Sequence, residues 1–173
     1  MTDRRRIVRP LMMAILMLVL TEPGCGGTSA DEARPSVLDK SFESKATAVC
    51  KTVLSQKRKQ GPFPYPDFNP TRPDLSKLPS IARMEGTTVK IYQRWLGEFR
   101  ALGQPRNGRP AWAEVMTSLT GNLQAIADQQ AAGERVDGQR FTRDYYVGNR
   151  FQKELEQASD AASLPVCASA AAA

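Results

Sequence analysis

The chain has 173 residues, 24 of them Lys or Arg and 18 Asp or Glu, so its formal charge is +6, with no histidine at all. Four arginines and two acids precede Cys25, which leaves 20 basic against 16 acidic residues beyond it, too small and too dispersed an excess for a nucleic-acid partner. Without histidine the chain has no Ser-His or Cys-His nucleophile, and it lacks the commonest metal ligand and the usual general base near neutral pH.

The first expected element is an export signal over residues 1–24. Arg4, Arg5, Arg6 and Arg9 precede the unbroken apolar run "LMMAILMLVL", and small and polar residues follow, which is the order of a secretory signal. The run falls short of the roughly 20 apolar residues that span a bilayer. "RRRIVR" has the arginine pair and apolar pair of a twin-arginine signal, but Asp3 stands where that motif has Ser or Thr, so the ordinary secretory route is expected.

Cys25, in "EPGCGG", has two readings. As the acceptor of a lipid anchor it would end a lipobox, for which Gly24 fits and Glu22 and Pro23 do not. Alternatively, cleavage after "TSA" at 28–30 would remove it. Either event leaves Cys50 and Cys167 as an even pair, which accounts for an odd cysteine count in an exported protein. Lipid attachment at Cys25 is the leading expectation, with the outer face of the cell membrane as the address and a soluble secreted protein as the alternative. Residues 25–38 then read as a flexible tether.

The remainder is about 150 residues, enough for one domain with its own core. Helix one is expected over 39–60, with Phe42, Ala46, Val49, Cys50, Val53 and Leu54 on one face. "KRK" at 57–59 lies in its last turn, where cations favour the dipole's negative end. Six prolines from Pro62 to Pro79 forbid helix and give a long extended connection. Helix two should start near Pro79 or Ser80, carry Ile81, Met84, Thr88, Ile91, Trp95 and Phe99 inward, and end at Leu102 before Gly103. Helix three follows Pro110 with the stripe Trp112, Val115, Met116, Leu119, Leu123, Ile126 and Gln130, and stops at Gly133. Helix four opens at Asp137 with Phe141, Tyr145, Gly148, Leu155, Ala158 and Ala162 inward, and Pro165 closes it.

The expected fold is therefore all-α, a four-helix bundle over 39–167 with a long proline-rich connection between helices one and two, followed by a disordered tail at 168–173. First and last helices lie side by side in such a bundle, which brings Cys50 within reach of Cys167. A disulfide is the expectation, and two unpaired buried thiols are the alternative.

Several segments carry a resemblance. "ATAVCK", "FPYPDFNPTRPDLSKLPSI", "RPAWAEV", "IADQQAAGERVDGQRF" and the closing "ASLPVCA" are similar to uncharacterised secreted proteins and lipoproteins of actinobacteria that join a cysteine in the first helix to one in a C-terminal "LPxC". The resemblance covers most of the domain. It implies an exported helical bundle, often lipid-anchored, with no implied activity.

Motifs for chemistry are sparse. There is no Walker loop, no G-x-G-x-x-G and no C-x-x-C, so neither cofactor nor metal is expected. Glu98, Glu114, Asp128, Asp144 and Glu154 are the helix-borne carboxylates that a glycosidase-like pair would draw on. Gln129 and Gln130, Thr88 and Asn149 bring polar groups to or near inward positions. Phe63, Tyr65 and Phe68, between prolines, either form a surface for another protein or lie back on the bundle. Two functions follow as expectations. The first is a non-enzymatic envelope protein, anchored in the membrane and acting by contacts with another envelope protein. The second is a carrier or sensor with a small ligand inside the bundle, for which Phe63, Tyr65, Phe68, Gln130 and Tyr145 are the candidate residues. An interior cavity of a few hundred cubic ångströms would favour the second.

Overall fold

The computed structural model describes residues 37–173. The expected signal, Cys25 and all but the last two residues of the expected tether lie outside the described residues. Of the described residues, 76% are helical and none is in a strand. Five helices follow in order: α1 Lys40–Gln60, α2 Leu78–Leu102, α3 Arg109–Glu134, α4 Gly138–Ala161 and α5 Pro165–Ala172.

Local chemistry sets these boundaries. Asp39 caps α1, its Oδ1 accepting from the Phe42 amide at 3.0 Å while its Oδ2 accepts from the Arg106 amide at 3.0 Å. Those two bonds hold its carboxyl below the usual carboxylate range and tie the start of α1 to the α2–α3 loop. Lys57, Arg58 and Lys59 fill the last turn. Gly108 precedes α3 with a φ of 72°, and a Cβ there would sit 2.5 Å from the Val37 carbonyl oxygen, so both conformation and space require glycine. Asp137 caps α4 through the Arg140 amide.

The helices form a bundle in which α2 packs on α1 and α3, α3 on α4, and α5 lies against both α4 and α1. Two expectations are corrected here. Pro165 does more than close helix four, because it also occupies the first turn of α5, where its missing N–H costs nothing. The residues after Cys167, expected to form a disordered tail, continue that helix through "ASAAA" and bury Ala170 and Ala171. Alanine has the highest helix propensity, and its small side chain lets α5 approach its neighbours closely. Thus α5 makes the contact with α1 that the sequence assigned to helix four. Cys50 and Cys167 form a disulfide there, with Cα atoms 5.0 Å apart and both residues fully buried.

The core has two parts. The larger joins residues of all five helices, and an aromatic chain runs through it. Phe42 meets Trp112 edge-on at 4.8 Å, Trp112 meets Phe99 at 4.8 Å, and Trp95 stands 5.7 Å from Phe99 and 5.5 Å from Tyr92. The smaller comprises Leu78, Ile81, Ala132 and Phe141, with Tyr65 and Phe68 packed on it. Gly133 lies inside the last turn of α3 rather than stopping it. It is buried there because a Cβ would come within 3.0 Å of Ala82 and 3.2 Å of the Leu78 carbonyl on α2.

Candidate functional site: a polar cavity bordered by both hydrophobic clusters

A cavity of about 410 Å³ is bordered by both clusters and by every helix. Helix α1 contributes Lys57 and Gln60, α2 Glu85, Thr88 and Tyr92, α3 Asn122, Ile126 and Gln129, and α4 Phe141, Tyr145, Gly148, Asn149 and Gln152. The segment between α1 and α2 adds Phe63, Tyr65 and Phe68, and the end of α5 adds Ala171 and Ala172.

The segment is fastened at several points. The rings of Phe68 and Phe141 stand edge-on at 5.8 Å, Thr142 Oγ1 donates to the Pro70 carbonyl at 2.6 Å, and the hydroxyls of Thr71 and Tyr146 are 2.8 Å apart. Tyr65 and Phe68 therefore lie back on the bundle, whereas Phe63 remains 40% exposed at the rim.

One acid stands in this wall. Glu85 is 7% exposed, and its Oε2 is buried without a hydrogen-bond partner. Burial strips water from the carboxyl and raises its pKa from 4.5 to about 8, so it is mostly protonated at neutral pH. Lys57 is the only other charged side chain on the wall, and it is engaged. Its Nζ donates to the carbonyls of Ala170 at 2.9 Å and Ala171 at 3.3 Å and to the Tyr92 hydroxyl at 3.3 Å. Desolvation lowers its pKa to about 8, opposed by the charge of Glu156. Asn122 Nδ2 also reaches the Tyr92 hydroxyl, at 3.5 Å, and desolvation raises the tyrosine's pKa above its ordinary value. Gln60 Nε2 donates to the Met84 carbonyl at 3.0 Å and to Thr88 Oγ1 at 2.8 Å, which fixes the end of α1 against α2.

The structure brings Phe63, Tyr65, Phe68 and Tyr145 of the expected ligand residues to this cavity, but not Gln130. Gln130, half-buried, lies against Gly86 of α2 and donates to Glu134 at 2.8 Å, while its neighbour Gln129, 8% exposed, faces the cavity. Trp112, Val115 and Leu119 of the expected stripe are buried, but further along α3 the inward line departs from the large apolar side chains. The buried line of α3 passes through Ser118, Asn122, Ala125, Gln129 and Ala132, leaving Met116, Leu123 and Ile126 half-buried beside it.

None of the five expected carboxylates lines the cavity. Asp144 is buried but paired, 2.7 Å from Arg143 Nη2 and 3.7 Å from Arg140 Nε. Glu154 pairs with Arg150 at 3.5 Å, and Asp128 accepts from Gln124. Glu85 was missed, although a signal existed: it interrupts the line Ile81, Glu85, Val89, Tyr92, Leu96, Phe99, which recurs every three or four residues. No protein-family model, curated protein or solved structure matches the chain.

Proposed function

We propose that this protein is an exported, non-enzymatic four-helix bundle, closed by α5, that holds a small organic ligand in the cavity around Glu85. The observation that carries the reading is the cavity itself. It is a half-open cleft of about 410 Å³ whose lining gathers side chains from all five described helices and the segment between α1 and α2. Its wall combines aromatic rings with a buried carboxyl that has no partner, and buried polar groups without partners are rare because each costs about 1–3 kcal/mol. A ligand group at Glu85 would offset that cost.

The test is a ligand-observed NMR screen of a fragment collection spanning cationic, neutral and anionic compounds, repeated on Asn149→Trp. Asn149 is half-buried on the cavity wall, so a large ring there fills space at little cost to the fold. Saturable binding that the Trp variant abolishes supports the reading. No saturable binder, or binders indifferent to the variant, overturns it.

For the address, the buried Cys50–Cys167 disulfide supports export, since such bonds persist in oxidising compartments. With the resemblance to actinobacterial lipoproteins, this leads us to propose anchoring through lipid on Cys25 at the outer face of the cell membrane. The N-terminal peptide of the mature protein should carry the mass of a diacylglyceryl group, and Cys25→Ser should release the domain or leave it unprocessed. A mature N-terminus at Asp31 would overturn the anchor. A second reading, contact with another envelope protein, draws support from the exposed side chains Phe63, Leu75, Val136 and Tyr146.

A further inference from the structure

We propose that the cavity selects an organic ammonium ion with an apolar body, its cationic group held by Glu85. The inference rests on the ligand-binding reading above and deepens it by naming the class of ligand.

Two features of the wall point to this class. Among the described residues Glu85 is the only acidic side chain lining the cavity, its buried Oε2 is unpartnered, and the other charged side chain on the wall, Lys57, already donates to the Ala170 and Ala171 carbonyls and the Tyr92 hydroxyl. A buried carboxyl in this state gains most from a group that supplies both a positive charge and N–H donors. Secondly, Phe68, Phe141 and Tyr145 line the same cavity and supply aromatic rings, which attract cations, and an apolar surface for a hydrocarbon body, while the ring of Tyr65 already has Lys77 Nζ 5.4 Å from its centre.

The protein already holds one ammonium group on this wall, through neutral oxygen acceptors and a ring. Lys57 Nζ sits among two carbonyl oxygens and a hydroxyl, 5.2 Å from the centre of the Tyr92 ring. Glu85 and the rings of Phe68, Phe141 and Tyr145 offer a second place for an ammonium group.

A metal ion is a poorer occupant. Calcium requires six to eight oxygen ligands and magnesium near-octahedral oxygen geometry. One carboxylate with amides does not assemble that set, and no group of three His, Cys, Asp or Glu suited to a metal occurs among the described residues.

Binding carries a proton balance. With its pKa raised by burial, Glu85 is mostly protonated near neutral pH, and an arriving ammonium ion stabilises the carboxylate. The carboxyl O–H breaks, its proton passes to the buffer, and the ligand keeps its own charge.

The experiment is isothermal titration of the disulfide-intact protein at pH 7 with three probes of similar shape: 2-phenylethylammonium, neutral 2-phenylethanol and 3-phenylpropionate. The ammonium ion should bind at least tenfold more tightly than either of the others. Its apparent enthalpy should differ between phosphate and Tris by the ionisation heat of nearly one proton released. Glu85→Gln, which keeps the shape of the neutral carboxyl, should abolish both the preference and the proton release. Equal binding of alcohol and ammonium ion, or a preference that survives Glu85→Gln, overturns the ammonium class and leaves the cavity reading standing. Absence of binding by all three probes also overturns the ammonium class, and the cavity reading falls with it only if the fragment collection fails as well.

Discussion

The two ends of the bundle are built on different terms. Around Cys50 and Cys167 the interior is sealed by the aromatic chain from Phe42 to Tyr92, by small residues of α5 and by the covalent link between α5 and α1. Toward Glu85 the apolar cluster shrinks to four residues, and the space beside it is bounded by amides, tyrosines, one unpartnered carboxyl and an irregular segment laid across the helices. The space beside Glu85 is not filled by side chains, so close apolar packing is concentrated at the first end.

That contrast should be broken most forcefully by removing the staple. The disulfide closes a separation of 117 residues, for which the chain-entropy estimate is about 4–5 kcal/mol. The double variant Cys50→Ala, Cys167→Ala should lose stability of that order in chemical denaturation, keep its helical circular dichroism and show the largest rise in amide exchange along α5. A loss below about 1 kcal/mol would show that α5 is held by packing alone, and the contrast would then rest on the aromatics.

Next in size is Trp112→Ala, which empties a fully packed site between Phe42 and Phe99 and should cost about 3–5 kcal/mol. Ligand binding in the surviving folded protein should be little changed, because Trp112 does not line the cavity.

The cavity end is sharpened by pH. The folded-state pKa of Glu85 is raised from 4.5 to about 8, so its contribution to stability is fully present below pH 4.5 and is lost as pH rises through 8. Lys57 behaves oppositely: its pKa is lowered from 10.5 to about 8, so the cost of its buried charge is present below pH 8 and is relieved between 8 and 10.5. Each limb has a slope of at most about 1.4 kcal/mol per pH unit. Stability from these groups should pass through a minimum near pH 8. Glu85→Gln should flatten the acid limb alone, and Lys57→Met the alkaline one. Tyr65, Tyr92 and Tyr145 are the other ionisable side chains on the wall, and Glu156 acts on Lys57 through its charge. The raised pKa of Tyr92 should bring stability down again at the alkaline extreme. An acid limb that persists in Glu85→Gln would assign it to another carboxyl.

The smallest effect is expected at Asp137→Ala, which removes the cap of α4 beside the small cluster and should cost about 1 kcal/mol. Hydrogen exchange should localise that loss to the first turn of α4.

Most of the helical framework was legible beforehand because its signals are local. Asp39 and Asp137 cap from their own side chains, Pro79 and Pro110 sit in first turns, and the three- and four-residue recurrence of large apolar side chains marks α1, α2 and α4. The disulfide was legible too, since Cys50 falls on the apolar stripe of the first helix and Cys167 lies just past the fourth, in a bundle whose first and last helices are neighbours. Helix α5 was misjudged for a local reason: a proline read as a stop was also a start, and an alanine-rich end was read as featureless.

The cavity belongs to another level. By itself the sequence determined a chain of amphipathic helices broken by a proline-rich stretch, because propensity, capping and periodicity act within a few residues of one another. Only the tertiary structure decided that Gln129 rather than Gln130 turns inward, since α3 packs against α2 and α4 together and its buried line follows both neighbours. The same packing turned Glu85 from one acid among many on a long helix into a desolvated carboxyl beside open space. A carboxyl's charge is set by what surrounds it, and those surroundings come from segments as far apart in the chain as Tyr65 and Gln152.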